Sequence, residues 1–295
     1  GETKNQEWKK GYIEDQKTSG GKKHTGTVIE HLLVQIMTMF YDVGKNNLLK
    51  QKRADWNDAV DQVKGENVTF TFAVAQNCNE VANLLEKISK DLNISEIEVF
   101  EEFTLLIENW KDGVKDIPSS ERQAKLKKYL GKVNAAVSGK KVKIKVEKIL
   151  KDLRAKAQLS IDNANKKAWN GHYYSGYIFD SGKPVDTIFN KSALSKKNPT
   201  SDDFEMMLMP QTWSLVSGGA DKIKAASRVI DSAFKYLFDK EVGAMKLNYP
   251  AYTKFNKTIG RITGFAPGTK ENNAIFSHAN LFFVWALIKR GMPDE

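Results

Sequence analysis

Between residues 25 and 43 the apolar positions Val28, Leu32, Leu33, Ile36, Met39 and Phe40 recur at helical spacing, and Gly44 closes the run. The same period returns over residues 66–90, with Val68, Phe72, Ala75, Val81, Leu84, Leu85 and Ile88 on its buried face. Ser95 is a good N-cap for a third helix through Ile97, Phe100, Phe103, Leu106, Ile107 and Trp110. A fourth starts at Ser119-Ser120-Glu121, and residues 142–166 predict a long charged helix. At Trp169 the pattern changes: the run to Gly182 is aromatic, β-prone and bounded by turns, which predicts a hairpin. Residues 186–203 read as a polar loop, and helical periodicity resumes over 207–216, 221–238 and 274–290. Helices in succession with short polar links predict an all-α fold class, a toroid or a repeat stack. No motif repeats at a fixed period, which favours the toroid.

With 295 residues, 41% of them hydrophobic, the chain can bury a sizeable core. The net charge of +10 raises nucleic acid as a partner, but the lysines are scattered through amphipathic segments such as Lys125-Leu126-Lys127-Lys128, so no nucleic acid is expected. Cys78, the single cysteine, excludes an internal disulfide framework and reads as a buried thiol on a helix. The longest apolar stretch, Leu281 to Ile288, is too short to span a bilayer, so no membrane is expected either. Residues 1–24 are polar and aperiodic and carry no signal peptide, which makes the cytoplasm the expected location. The chain also lacks an initiating methionine, consistent with a missing N-terminal region.

The chemistry concentrates in two stretches. Asp55-Trp56-Asn57-Asp58, followed by Gly65-Glu66-Asn67, sets an acid, a stacking platform and a hydrogen-bonding amide side by side, as sugar chemistry requires. Asp58 reads as a general acid. The second stretch, residues 260–280, is a glycine- and proline-marked loop that brings Lys270, Glu271 and Asn272 just ahead of a helix bearing His278. A lysine, a carboxylate and an amide can bracket sugar hydroxyls, and a solvated surface loop fits the same residues. For Glu30-His31, inside the first helix, a partly buried pair is the simpler reading.

Four blocks in this order resemble the inverting β-glucoside phosphorylases of glycoside hydrolase family 94, which include cellobiose and chitobiose phosphorylases and the phosphorylase-like end of cyclic β-1,2-glucan synthases. They are Asp55 to Asp58 with Gly65-Glu66, Trp169-Asn170-Gly171, Pro210-Gln211-Thr212-Trp213 with Ser217-Gly218, and Gly268 to Asn272 with Ile275-Phe276-Ser277-His278. The resemblance implies Asp58 as catalytic acid, Trp56 and Asn57 beside it in the sugar site, Lys270, Glu271 and Gln211 as further substrate-binding residues, and His278 as the phosphate ligand. It implies no metal and no cofactor: inorganic phosphate is a co-substrate and a β-linked gluco-oligosaccharide the other. Phosphate arrives as an anion and can attack the anomeric carbon itself, so one acid suffices where inverting hydrolysis needs two carboxylates. Asp58 would then be held protonated by burial or by a neighbouring negative charge.

The resemblance also implies a single, incomplete (α/α)6 toroid over residues 1–295 with a small β-hairpin insertion. It lacks the N-terminal β-sandwich, the early barrel helices and a C-terminal Trp-Leu-Thr-Gly block, and the stretch from about residue 110 to 165 falls outside the likeness. Family members are often dimeric, which extends to a homodimer of the full-length enzyme. Two alternatives stay open: an incomplete fragment that at most binds sugar, and an inverting glycoside hydrolase. The 295-residue chain by itself is expected to show no phosphorolysis.

Overall fold

The computed structural model describes residues 16–52, 56–110, 113–185, 196–197, 199–201 and 204–292. In chain order its elements are α1 (Val28–Tyr41), β1 (Leu49–Lys50), β2 (Gly65–Asn67), α2 (Val68–Asp91), β3 (Glu96–Phe100), α3 (Ser119–Val133), β4 (Lys141–Lys145), α4 (Val146–Ala168) and β5 (Tyr177–Phe179). They continue with β6 (Met206–Met207), α5 (Leu208–Val216), α6 (Gly219–Lys222), α7 (Ala226–Tyr236), β7 (Phe238–Asp239), β8 (Ala244–Met245), β9 (Asn248–Tyr249) and α8 (Ser277–Ile288). The protein is mostly helical, with small antiparallel sheets in the orders β1-β2-β5, β3-β4, β6-β9 and β7-β8. The chain divides into two compact units, residues 1–43 with 74–159 and residues 44–73 with 160–295.

In the first unit α1 starts where expected. Thr27 caps it by accepting the Glu30 N–H at 3.1 Å, and Leu33, Ile36, Met37 and Phe40 form its buried face. The helix predicted from Ser95 is instead β3, followed by a 3-10 helix over Glu101–Leu106. Its register with β4 sets Glu96 opposite Lys145 and Glu98 opposite Lys143, while Ile97 faces Ile144 and Val99 faces Val142. Opposite charges on one face and β-branched pairs on the other are what an antiparallel ladder favours, and they override the N-cap preference of Ser95. Because β4 takes Lys141 to Lys145, the long charged helix begins only at Val146.

Two buried cations anchor this unit. Arg122 of α3 is 2% exposed; its guanidinium lies 3.9 Å from the Phe40 ring and donates to the Phe40 carbonyl at the end of α1. The neighbouring Gln123 amide donates to Val43 O at 2.8 Å. On α4, Lys156 pairs with Asp152 one turn earlier, both fully buried. The Lys156 ammonium also donates to Leu106 O at 2.7 Å, and Asp152 accepts the Trp110 indole N–H at 2.7 Å. Cys78 is buried as expected, and burial pushes its thiol up to about 12. The buried Glu30 turns to Phe100 N–H at 2.8 Å and to His24 at 3.5 Å, while His31 is exposed.

In the second unit the stretch expected to form a hairpin turns back on itself, with antiparallel bridges from Trp169 to Tyr174 and from Ile178 to Pro184, and its strand also pairs with a remote one. β5 lies against β2, with Glu66 opposite Ile178, and β2 in turn lies against β1. The first turn of α2 is capped by Asn67, whose side chain accepts the Phe70 N–H at 2.9 Å. The predicted helix over 221–238 is broken into α6 and α7 by Lys224, which adopts φ 56°. Most of the predicted polar loop at 186–203 lies outside the described residues. From Leu281 on, α8 is apolar all round: Phe283, Ala286 and Leu287 are buried while Leu281, Val284 and Ile288 are exposed. Trp213 of α5 meets Phe282 and Trp285 of α8 at ring-centroid distances of 5.7 and 6.3 Å. No helix among the described residues is long and apolar enough to cross a membrane.

Candidate active site

The acid loop is shaped by Asn57. This buried residue accepts the Ala59 N–H on its side chain at 3.3 Å and the Val60 N–H on its carbonyl at 3.2 Å, a tight turn that throws the Asp58 side chain outward. Asp58 is 65% exposed, and the cation beside it is Arg261 at 3.6 Å. Asp58 is exposed where burial was expected, and Asp55 lies outside the described residues. Trp56 is half-buried, with its indole N–H buried and unpartnered among the described residues.

Loop and scaffold share one apolar cluster. Ala59, Val60 and Val63 pack with Tyr177, Met207, Tyr252, Ile259 and Ile262, and Trp56, Phe179 and Phe265 close over them. Backbone bonds reinforce this contact: Gln62 N–H donates to Ile259 O at 3.3 Å and Ile262 N–H to Ala59 O at 3.0 Å. Gly260 allows the approach, with φ 118°. A methyl group there would run into the Asp61 carboxylate and lie 2.8 Å from the Asp61 main-chain nitrogen. Gly260→Ala is therefore expected to cost about 1–3 kcal/mol, read as a lowered urea midpoint with an unchanged slope.

The Lys270-Glu271 loop is fastened to the same cluster by Asn272, which is fully buried. Its amide accepts from Tyr252 N–H at 2.8 Å and donates to Tyr252 O at 2.9 Å and Phe265 O at 2.8 Å. Its carbonyl closes the turn by accepting the Gly268 N–H at 2.9 Å. Lys270, at φ 47°, is exposed with its ammonium 4.7 Å from the Phe265 ring centroid, and Glu271 is half-buried. Behind the loop Asn248 holds Asn273, accepting its N–H at 2.6 Å and its amide at 2.5 Å, and donates to the buried Glu205 at 3.2 Å. Tyr252 donates its hydroxyl to the same Glu205.

Asp58, Trp56, Lys270 and Glu271 thus ride on loops built over a single core cluster. His278 is exposed, the second residue of α8, with its ring against Phe276 at 5.6 Å. Gln211, expected to touch substrate, is fully buried. Its side chain accepts the Tyr174 N–H at 2.8 Å and donates to Tyr174 O at 2.7 Å and Met207 O at 2.9 Å. Arg261 is the residue that the sequence reading passed over, a cation beside a glycine inside the stretch it singled out. Asn272, read there as an amide for sugar hydroxyls, bonds main-chain groups at Tyr252 and Phe265 instead.

Glu66 sits at the floor of β2, fully buried beside Asn46, whose main-chain N–H and side-chain amide both donate to its carboxylate. Burial pushes the Glu66 carboxyl above its ordinary value, against the pull of the Asn46 bonds. A raised carboxyl pKa in the fold favours the protonated form. The residue's contribution to stability is therefore full at pH below the ordinary value of 4.5 and is lost as pH rises through the raised one. Relative to the native protein, Glu66→Gln is expected to gain stability as pH rises from below 4.5 through the raised value, in urea unfolding at each pH. A constant difference across that range would refute the assignment.

Comparison with known families places the chain among catalytic domains that act on glycosidic bonds: the profile described as "Glycosyl hydrolase 94 superfamily, catalytic domain" matches residues 7–113 and 135–294. The chain belongs to that family, which bears out the resemblance read from the four sequence blocks. It is 24% identical over 274 residues to solabiose phosphorylase of Paenibacillus borealis, covering 92% of this chain and 27% of that protein. It is 24% identical over 269 residues to N,N'-diacetylchitobiose phosphorylase of Vibrio furnissii, covering 91% of this chain and 25% of that one. Cellobionic acid phosphorylase of Neurospora crassa is 29% identical over 134 residues, 45% of this chain and 15% of its own length. The chain spans about a quarter of the length of the first two.

Proposed function

We propose that this chain supplies the proton-donor part of an inverting β-glucoside phosphorylase, in which inorganic phosphate displaces the aglycone of a β-linked gluco-oligosaccharide to give α-glucose 1-phosphate. The observation that carries the reading is the shared cluster from which the acid loop and the Lys270-Glu271 loop both rise. Asp58 protonates the leaving glycosidic oxygen, Trp56 stacks on the sugar, and Asn57 holds the turn that presents the acid. Lys270 and Glu271 bond hydroxyls. His278, on the first turn of a 12-residue helix, meets the phosphate where the helix dipole favours an anion. Gln211 serves the site by holding the main chain at Tyr174.

Sugar bound over the loop would exclude water from the exposed Asp58, and the phosphate charge would oppose a second negative charge nearby. The scaffold is an (α/α)6 toroid in the full-length protein, the reaction class is glycosyl transfer to phosphate, and the location is the cytoplasm. The test is to incubate the full-length gene product with β-linked glucobioses, with and without phosphate, and assay glucose 1-phosphate. Phosphate-dependent product is expected. Free glucose released equally without phosphate would establish a hydrolase instead.

A further inference from the structure

We propose that Arg261 is a positioning residue that sets the acid loop against the segment carrying Lys270 and Glu271; its effect on turnover rests on the phosphorylase reading, whereas its effect on the loop does not. The guanidinium donates from Nη2 to the main-chain carbonyl of Asp58 at 2.7 Å and from Nε to the Asp61 carboxylate at 3.2 Å. The same Nη2 lies 3.6 Å from the Asp58 carboxylate, and the Arg261 main-chain N–H donates to the other Asp61 oxygen at 3.2 Å. One side chain therefore grips both the backbone and the acid group of the candidate proton donor, across 203 positions of sequence.

The physical setting argues for positioning and against bulk stabilisation. The Arg261 and Asp58 side chains are 56% and 65% exposed, a range in which ion pairs add little to global stability. What the fork adds is geometry: a planar guanidinium satisfies two acceptors at a fixed angle, which a lysine ammonium on a flexible stem does not reproduce. Among the described residues the acid loop is also held by the Asn57 turn, by Gln62 N–H on Ile259 O, by Ile262 N–H on Ala59 O, by the Gln51 amide on Val60 O at 3.2 Å and by Ala59, Val60 and Val63 in the apolar cluster. The Arg261 fork is the one of these contacts that reaches Asp58 itself from the segment leading to Lys270.

Hydrogen exchange of the 295-residue chain tests this without any need for turnover. Arg261→Gln is expected to speed exchange of the Val60, Gln62 and Ile262 amides about tenfold while the helices of the same unit keep their protection. The Trp56 indole resonance, assigned with Trp56→Phe, should shift with it, and Arg261→Lys should fall between the two. Unchanged exchange over residues 57–63 would overturn the proposal. So would a uniform rise through α5, α7 and α8, which marks a merely structural role. In the full-length gene product Arg261→Lys should lower kcat about tenfold or more with KM for phosphate within about twofold. A raised KM for phosphate with kcat unchanged would make Arg261 a phosphate ligand and overturn it as a positioning residue. A native enzyme without phosphorolysis would count against the phosphorylase reading alone, leaving exchange to decide on Arg261.

Discussion

Lys156→Met, with Asp152 left in place, is expected to destabilise the first unit by about 3–5 kcal/mol. Both partners are fully buried, so removing the ammonium strands a carboxylate where water does not reach it. The Trp110 indole and the Glu108 N–H, at 2.7 and 3.2 Å from Asp152, soften the loss without replacing a charge. Burial already holds the Lys156 ammonium below the ordinary lysine value, with Asp152 pulling it back up, so charge survives there because the partner is present. Urea unfolding of Lys156→Met, Asp152→Asn and the double variant closes the cycle. The double variant should lose clearly less than the two single losses added together. A loss within about 1 kcal/mol for Lys156→Met would show that the pair carries no such weight.

Asp58→Asn is expected to lower kcat for phosphorolysis by about 10²–10⁴-fold, the range of a positioned general acid. Asparagine keeps the shape and the carbonyl oxygen, so the Asn57 turn and the Arg261 bond to the Asp58 main chain are preserved. What disappears is the transferable proton. Leaving groups that need no protonation, such as activated aryl glycosides, should lose far less rate, and that difference separates acid catalysis from a disturbed loop. An equal loss for both substrates would assign Asp58 to binding or folding.

The two stretches that the sequence singled out, an acid beside an indole and a lysine-glutamate-asparagine run on a glycine-rich loop, are the ones that the structure sets over one core cluster. What could not be read was which polar groups serve substrate and which serve the chain. Gln211 and Asn272 are both amides in blocks that match the family, and amides bind main chain and sugar with the same atoms. Only the structure shows both spent on backbone groups, at Tyr174 and at Tyr252 with Phe265.

Helical periodicity placed α1, α3, α5 and most of α2, but failed where two periods coincide. Ile97, Phe100 and Phe103 fit a helix face, while Glu-Ile-Glu-Val fits a strand, and the matching Lys-Val-Lys-Ile-Lys lies some forty residues away. Long-range pairing decided between them. The same distance explains why Arg261 was passed over: its partners Asp58 and Asp61 are remote in sequence and adjacent in space. α3 lies within residues 114–134, which the family profile does not match, yet Arg122 and Gln123 tie it to the end of α1.

The most direct measurement of the central claim is the anomeric configuration and the phosphate dependence of the sugar product, followed by phosphorus and proton NMR during turnover of the full-length gene product on a β-linked glucobiose. Transfer to phosphate with inversion predicts α-glucose 1-phosphate appearing in step with phosphate loss, and its near-disappearance in Asp58→Asn. Formation of β-glucose 1-phosphate, of free glucose at a rate independent of phosphate, or of undiminished product in Asp58→Asn would contradict the account.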